Sequence, residues 1–521
     1  MIKVPIKARS IATAEELFSP KPALPNPVRP ITSVAFVTAD RPSELGRAIV
    51  SYTENFAAHG RQVQLAIFDD SKSHISMDSC LSTARNCIKN YRVRYAGGRE
   101  KRLYIRHLAR AGIAPEIARF ALLGERDGNL CTAGANRNAA LLDTVGEHIL
   151  CADDDTICRL VAHPERNQEL KLQCGGNPRE MWFASNREGL FHDAKWGQYD
   201  LLREHESILG YTVSELAARF PAGCVQVDGK CRALHYSLAD GSGSVAVTMS
   251  GVVGDSGSYA ATWLLSSHGA TRRRFLGDEV TFRCALQSRE VLGVVRSLSV
   301  THSAFCMGTS LAMANRDTLP PFFPIGRNED GVFGILLKSV SRNAFVGHIP
   351  IAIAHDPAEA RHYQPFPMFR VSDLIICLIY AFSINTPSGL REALGYLGNE
   401  FLQLSRSPDR DFWEFVSRAV TSRREKRLTR LENCLSNFPY PPYLASEILK
   451  YRNHLMVQRM QPDWCVPVEF RGSVPPDVAK QKTKKLVRQT GALLCLWTAM
   501  LDAAQHLRAS EIRVSTILSP E

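Results

Sequence analysis

The chain lacks the features that would mark a disulfide-stabilised or membrane-spanning protein. Its 14 cysteines include no CxxC pair, and several lie in apolar runs, where a free cysteine behaves as a small hydrophobic residue. No signal peptide is recognisable at the N-terminus. The longest apolar run, residues 374–382, is about half as long as a membrane span and predicts a buried core helix. We therefore expect a cytoplasmic protein with reduced thiols, and peripheral membrane contact stays open.

Composition and length are those of a soluble protein larger than one ordinary domain. Hydrophobic residues make up 45% and charged residues 22% of the 521 positions, enough for sizeable cores. The 63 basic and 52 acidic residues give a net charge of +11, which favours anionic partners such as nucleotides, phosphorylated acceptors or a membrane surface. Many cytoplasmic proteins carry a similar charge, so it does not choose among these partners.

The first 30 residues end in a proline series. These prolines exclude a helix or a central strand at Pro20, Pro22, Pro25, Pro27 and Pro30. We interpret residues 1–30 as an extended arm or linker.

An α/β pattern begins directly after this arm. Residues 33–38 form an apolar run typical of a buried strand, and residues 45–56 place apolar side chains on one helical face, with Ser43 as the expected N-cap. A second buried strand at 63–68 completes a right-handed βαβ unit. Further elements are expected at residues 91–95, 114–123 and 135–142. Together they predict a Rossmann-like, mostly parallel sheet.

The pattern then changes twice along the chain. Residues 160–297 combine Gly/Ser-rich loops with short alternating strands, which indicates a β-rich insertion. After His362 long stretches with helical period and basic runs predominate. We therefore expect an α/β domain over residues 31–365, with the insertion inside it, and a helical C-terminal domain over residues 366–521.

Three consecutive carboxylates, Asp153, Asp154 and Asp155, follow the apolar run 148–152. Open α/β sheets bind ligands at the carboxyl ends of their strands, so the triplet is expected at a ligand site. Adjacent acids repel one another, and a hard divalent ion that carries phosphates is the most economical cation to offset the repulsion. A solvated turn is the alternative, but it does not suit a triplet that follows four apolar residues.

A second acid pair, Glu329 and Asp330, lies far downstream on a Gly-flanked loop. A carboxylate within hydrogen-bond reach of a hydroxyl can take its proton as the hydroxyl attacks an electrophile. Together with the triplet, the pair predicts a transferase that acts on a nucleotide-activated substrate. The same residues, with Asn328, also suit a helix N-terminus, and the two roles are compatible.

Two further segments carry polar side chains that suit a nucleotide. Asp70, or Asp69, ends the second strand and can accept a hydrogen bond from the N–H of a uracil-like base. An Asx-turn or a helix cap is the alternative for this pair. Arg137 at a helix start can reach phosphate oxygens with the help of the helix dipole, whereas its alternative role is a surface salt bridge.

Five motifs stand in a fixed order along residues 33–362. They are Val37-Thr38-Ala39-Asp40-Arg41-Pro42, Phe68-Asp69-Asp70-Ser71, Gly134-Ala135-Asn136-Arg137-Asn138, Asp153-Asp154-Asp155, and Asn328-Glu329-Asp330 with His355 after the following strand. In these motifs and their order the chain resembles GT-A-fold glycosyltransferases. It is most similar to the large inverting family 2, which also includes cellulose and chondroitin synthases. The predicted insertion is not covered by this resemblance.

The resemblance implies a role for each motif. It assigns donor binding to Thr38, Asp40, Arg41, Asp69, Asp70, Arg137, Asn138, Asp153 and Asp154. It assigns a Mn²⁺ or Mg²⁺ ion to Asp155, Asp153 and His355, with Asp153 also near the ribose. A lone histidine is more often a structural residue, and for His355 both roles stay open. Asp330 is expected to be the catalytic base, and Glu329 its helper or an acceptor ligand.

The substrates follow from the resemblance only in part. A nucleotide-diphosphate sugar, most simply a UDP-sugar, is the expected donor, a hydroxyl group is the expected acceptor, and no nucleic-acid partner is expected. Ala39 stands where the family often has a base-stacking tyrosine, which leaves the base open. The signature of processive synthases, with Gln, two Arg and Trp, is absent, so we expect one or a few transfers. A glycan, a lipid-linked sugar, a peptide and a small molecule all remain as acceptors, and the oligomeric state is not indicated.

Three other functions compete with a glycosyltransferase. Residues 254–257 resemble the nucleophile loop of serine proteases, with His59 as a partner, but strand–helix alternation does not fit two β-barrels. The loop is expected to line the acceptor side of a cleft or to form a plain turn. A non-catalytic nucleotide-binding scaffold and a nucleotidyltransferase on a similar core remain as alternatives.

Overall fold

A computed structural model describes residues 29–87, 90–124, 130–221, 223–436, 440–472 and 474–519. The arm predicted for residues 1–30 lies outside these ranges up to residue 28, so its conformation stays a prediction.

The described residues form one 15-stranded sheet. Its strands are β1 (Ser33–Thr38), β2 (Gln64–Asp69), β3 (Arg92–Ala96), β4 (Glu147–Asp153), β5 (Thr156–Ala162), β6 (Leu170–Cys174), β7 (Glu180–Phe183), β8 (Trp196–Gly197), β9 (Val225–Val227), β10 (Ser244–Asp255), β11 (Glu290–Val294), β12 (Leu298–His302), β13 (Ser310–Asn315), β14 (Ala344–His355) and β15 (Thr516–Ile517).

Helices cover both faces of this sheet and make up most of the C-terminal region. They are α1 (Pro42–Ala58), α2 (His74–Asn86), α3 (Gly98–Arg110), α4 (Pro115–Leu123), α5 (Ala133–Asp143), α6 (Arg187–Asp193), α7 (Leu201–Glu206), α8 (Val213–Ala217), α9 (Arg232–Asp240), α10 (Gly269–Phe275), α11 (Glu279–Gln287), α12 (Glu329–Val340), α13 (Val371–Phe382), α14 (Leu390–Arg406), α15 (Asp409–Ser436), α16 (Pro442–Arg459) and α17 (Pro476–Ala509).

The N-terminal strands pair as the sequence predicts. β1 lies between β2 and β4, and β2 pairs with β3, all in parallel. Both faces of β1 are buried, which matches its uninterrupted apolar sequence. The helix of the first βαβ unit differs in its start: Arg41 is the N-cap and Pro42 the first helical residue, so the prediction of Ser43 as N-cap is wrong. Proline suits that position because its missing N–H would have no helical partner there.

Residues 160–297 contribute strands to the same sheet and also contain α6–α11. β10, expected only as a short strand at residues 245–249, is 12 residues long and lies between β13 and β14. It runs parallel to β14 and antiparallel to β13, which in turn is antiparallel to β4. The sheet therefore adds antiparallel pairs to its parallel N-terminal part.

The helical character of the C-terminal region is confirmed by α13–α17. Apolar residues of α13, α14 and α17 join one buried cluster with residues of β1, β2, α4 and α5. Trp497 of α17 is fully buried, and its Nε1 donates to the carbonyl of Leu319 at 2.7 Å. The α/β part of the chain and the helical C-terminal region thus share one hydrophobic core. The domain boundaries stay predictions.

The apolar run 374–382 lies within α13, which is buried along most of its length. Among the described residues no single helix is long and apolar enough to cross a membrane. One bent pair of described segments, Val371–Asn385 and Leu390–Arg406, which meet at 120°, reaches that length and composition when the two are taken together.

Candidate functional site

The carboxyl ends of several strands meet at one edge of the sheet. Thr38 at the end of β1 pairs in register with Asp69 of β2, and its neighbour Val37 pairs with Asp153 of β4. His355 ends β14, next to Gly254 on β10. Parallel strands bring their carboxyl ends together, so most of the residues predicted at strand ends come into one region.

A buried arginine joins the two acidic clusters. Arg137, in the second turn of α5, is 1% exposed and donates from Nη1 to Glu329 and from Nη2 to Asp153. A third contact runs from Nη2 to the carbonyl of Gly308 at 3.3 Å. Burial raises the pKa of Asp153 to about 7 and also raises the pKa of Glu329, and in both cases the Arg137 charge opposes this effect. Arg137 therefore holds together the end of β4 and the start of α12.

This arrangement makes Arg137 a large contributor to stability. Arg137→Met is expected to lower the free energy of unfolding by about 3–5 kcal/mol, because Asp153 and Glu329 would keep buried charge without a partner. Urea unfolding of the variant and of the wild-type protein measures the difference. A change below about 1 kcal/mol would show that the two carboxylates do not depend on this guanidinium.

Asp154 and Asp155 face three cationic side chains. Arg41 Nη1 lies 3.2 Å from Asp154 Oδ1 and 3.3 Å from Asp155 Oδ2, and Arg361 Nη2 lies 2.6 Å from Asp155 Oδ2. His355 Nε2 lies 3.2 Å from Asp155 Oδ1. Cationic side chains of the protein therefore offset the repulsion among the three carboxylates.

The pKa values of the triplet differ because the partners differ. Burial raises the pKa of Asp154 to about 6, partly opposed by Arg41. Burial would also raise the pKa of Asp155, but His355 and Arg361 outweigh it and hold that pKa well below its usual range. Burial lowers the pKa of His355, yet Asp155 outweighs burial and raises it to about 9. Asp155 and His355 thus form a charged pair at neutral pH.

The donor set suits a hard divalent ion that brings its own phosphate ligands. Asp155 offers a carboxylate, and His355 offers its Nε2 once the proton shared with Asp155 is displaced. A Mg²⁺-type ion in phosphate-transfer sites needs only one or two protein ligands besides the phosphates. Within the described ranges no group of three or more His, Cys, Asp or Glu side chains is arranged to hold a metal ion. Asp153, the third predicted ligand, directs its Oδ1 to Arg137 instead.

The two aspartates at the end of β2 have different environments. Asp69 is buried, and both of its oxygens are used, by the backbone N–H of Ser71 at 2.7 Å and by the hydroxyl of Tyr95 at 2.7 Å. Asp70 Oδ1 pairs with Lys101, whereas Asp70 Oδ2 is buried and has no hydrogen-bond partner among the described residues. A buried acceptor without a donor is costly, so Asp70 is the better-placed residue of the pair to meet a ligand N–H.

Lys101 is a site residue that sequence reasoning missed. It is fully buried in α3 and contacts Asp70 and the side-chain oxygen of Asn136. Lysine is almost never fully buried unless it is paired, so this contact organises the end of β2. No sequence motif indicates this role of Lys101, because its partners lie 31 and 35 residues away along the chain.

Thr38 contacts the triplet, whereas Asp40 and Asn138, which were also predicted to bind the sugar donor, bond to the backbone of neighbouring segments. The Thr38 hydroxyl donates to Asp154 Oδ2 at 2.8 Å. Asp40 has a positive φ of 57° and accepts from the backbone N–H groups of Lys72 and Ser73, which joins the turns after β1 and β2. Asn138 is fully buried.

The Asn138 side chain contacts the protein backbone rather than the triplet. Its Nδ2 donates to the carbonyls of Ala121 and Phe322 at 3.1 and 2.9 Å, and its Oδ1 accepts from the N–H of Phe322 at 2.7 Å. These contacts tie α4 and the segment before α12 to α5.

Glu329 and Asp330 occupy the first turn of α12, as the helix-start interpretation requires. Glu329 is 8% exposed and points to Arg137, whereas Asp330 is half-buried. Asp330 Oδ2 accepts from the backbone N–H of Gly308 at 2.7 Å, and Asp330 Oδ1 accepts from the backbone N–H of Gly331 at 2.7 Å. Of the two acids, Asp330 is the more exposed one, and each of its oxygens keeps a lone pair for a bound hydroxyl.

The Gly-rich loop at residues 254–257 lies directly beside His355. His355 Nδ1 bonds to the carbonyl of Asp255 at 2.7 Å, and the Asp255 carboxylate pairs with Arg289 at 2.7 Å. Ser256 Oγ contacts the hydroxyl of Tyr363 at 3.0 Å, and His59 is the C-cap of α1. Ser256 thus has a tyrosine rather than a histidine as its partner, which gives no support to a hydrolase triad.

No family model matches the chain, and no curated protein is significantly similar to it.

Proposed function

We propose that this protein is a metal-dependent, inverting glycosyltransferase of the GT-A fold that uses a UDP-sugar donor. The observation that carries the proposal is the Arg137 bridge, which brings the strand-end triplet and the acid pair of α12 into one buried site. That arrangement would supply cations for a diphosphate and a carboxylate for a hydroxyl in one region of the protein.

Binding of the donor is assigned to three groups of side chains. Asp70 accepts from the base N–H through its free Oδ2, with Lys101 fixing the carboxylate. Arg41 and Arg361, which are partly exposed, donate to the diphosphate oxygens. Asp155 and His355 would hold the divalent ion, His355 after the ion displaces the Nε2 proton that it shares with Asp155, and the ion would supply a Lewis acid for the leaving diphosphate.

The transfer itself needs one proton acceptor. The acceptor hydroxyl attacks the anomeric carbon from the face opposite the diphosphate, its O–H proton goes to Asp330, and the bond from the anomeric carbon to the diphosphate breaks. A single displacement of this kind inverts the anomeric configuration. The hydrogen bond from Gly308 orients the Asp330 carboxylate, and Arg41 and Arg361 stabilise the charge on the departing UDP.

A transfer screen tests the proposal. Radiolabelled UDP-sugars are incubated with the protein, Mn²⁺ and fractionated lysate, and the Asp330→Asn variant is the control. Labelled product that appears only with the wild-type protein supports the assignment. Release of pyrophosphate from a nucleoside triphosphate would favour a nucleotidyltransferase, and nucleotide binding without turnover would favour a scaffold.

Base selectivity gives a separate prediction. Asp70→Asn replaces the free acceptor oxygen with either an amide oxygen or an N–H donor, so UDP affinity is expected to fall roughly tenfold while CDP affinity falls less or rises. Calorimetric titration with both nucleotides measures the change. The matched control is Asp69→Asn, whose carboxylate is already saturated and whose replacement should change stability rather than the UDP/CDP ratio. An unchanged ratio in Asp70→Asn would remove Asp70 from the base site.

A further inference from the structure

Arg179, just before β7, is a buried cation without a carboxylate partner. It is 8% exposed, and no Asp or Glu in the described part of the chain forms an ion pair with it. Its Nε donates to Asn177 Oδ1 at 3.0 Å, its Nη2 lies 2.7 Å from the sulfur of Met307, and its guanidinium lies 4.8 Å from the ring centre of Phe305. Buried arginines normally have an acidic partner, because an unpaired buried charge is costly.

The position of Arg179 relates it to the site already described. Met307, which contacts Arg179, is followed by Gly308, and the N–H of Gly308 donates to Asp330. The methyl group of Met307 also lies close to Gly257, on the loop beside His355. Arg179 therefore lies next to the segment that orients Asp330.

Arg179 differs from the other arginines of the site. Arg137, Arg41 and Arg361 each contact a carboxylate of the triplet. Burial lowers the pKa of Arg179 to about 10, so the side chain is still a cation at neutral pH. Its charge is thus present and uncompensated, which is the state expected of a group that is completed by a ligand.

We infer that Arg179 binds an oxyanion, a carboxylate or a phosphate, carried by the sugar acceptor. A guanidinium presents paired N–H donors that match either group, and its burial strengthens the contact. The assignment to the acceptor rests on the proposed function, since it follows from the neighbourhood of Asp330. The anion site itself rests only on the burial and the contacts of Arg179.

Binding of small sugars to the intact protein tests the inference. Glucose 6-phosphate, D-glucuronate and D-glucose are titrated by calorimetry in the presence of saturating UDP and Mn²⁺, and again without them. We expect one of the two charged sugars to bind at least roughly tenfold more tightly than glucose, as a charge-assisted pair would give. The tighter of the two identifies a phosphate or a carboxylate as the natural group. Equal affinities for all three sugars would overturn the inference.

Variants locate the binding at Arg179. Arg179→Met should abolish the preference for the charged sugar, while Arg296→Gln, which removes an exposed charge at the end of β11, should keep it. The unfolding temperature of Arg179→Met without ligand should stay equal or rise, because an uncompensated buried charge is removed. Unchanged preference in Arg179→Met would overturn the inference.

Two further outcomes are decisive. If Arg179→Met does not fold, Arg179→Lys, which keeps the charge but loses the planar fork, must still bind the charged sugar at least roughly tenfold more weakly than the wild-type protein. Equal binding by Arg179→Lys would count against the site. A protein that binds the charged sugar but not UDP would contradict the proposed function and leave the anion site in place, whereas UDP binding without any charge preference would overturn the anion site alone.

Discussion

Asp330→Asn is expected to lower turnover by roughly two to four orders of magnitude while UDP affinity changes little. The substitution removes the proton affinity of the more exposed acid of the pair. An asparagine can still accept from the N–H of Gly308 but loses the acceptor for the N–H of Gly331, so the unfolding temperature is measured together with the rates. Initial rates at saturating donor, together with calorimetry for UDP, separate the loss of chemistry from the loss of binding.

Two controls make this prediction specific. Asp317→Asn changes an exposed aspartate after β13 and should leave turnover unchanged. Glu329→Gln breaks the buried pair with Arg137 and should lower the unfolding temperature, with turnover falling only as far as folded protein is lost. Near-normal turnover in Asp330→Asn, with complete loss in folded Glu329→Gln, would move the base to Glu329. Full activity in both variants would remove the loop from the mechanism.

Asp155→Ala is expected to abolish the effect of Mn²⁺ on UDP binding. Even substitutions that only support a metal ligand cost 10–100-fold in metal affinity, so the loss of a ligand should exceed roughly a hundredfold. In the absence of metal, Asp155→Ala is expected to keep its affinity for UDP. Arg361 loses its carboxylate partner in the variant and is free for the diphosphate, while Arg41 keeps only Asp154, so UDP should bind at least as tightly as it does to the wild-type protein.

The matched control for Asp155 is Asp356, the carboxylate that follows His355. Its carboxylate pairs with Arg47 and Arg187 and makes no ion pair with the cations that face Asp155, so Asp356→Ala should keep the full response to Mn²⁺. Calorimetry in manganese and in chelator measures both variants. A wild-type response to Mn²⁺ in Asp155→Ala would exclude Asp155 as a ligand.

The sequence predicted the parts of the fold that depend on local pattern. The run 33–38, the helix after it and the strand before the triplet are found within a few residues, because burial on both faces leaves an uninterrupted apolar run. The strand-end rule then places Asp153 and His355 at one edge of the sheet. Local patterns were sufficient for these residues.

Non-local pairing accounts for what was missed. The place of β10 between β13 and β14 depends on partners more than 60 residues away, which no local pattern shows. Arg361 contacts Asp155, which lies 206 positions away along the chain, and Lys101 of α3 contacts Asp70 after β2. The start of α1 was misassigned because Ser43 is a good cap by residue type, while Pro42 already fits the first turn.

Calorimetric titration of UDP, with and without Mn²⁺, tests the central claim most directly. The free Oδ2 of Asp70, the cations Arg41 and Arg361, and the Asp155–His355 pair together predict that UDP binds and that Mn²⁺ tightens the binding at least roughly tenfold. The absence of binding of any nucleoside diphosphate, with or without the metal, would contradict the account.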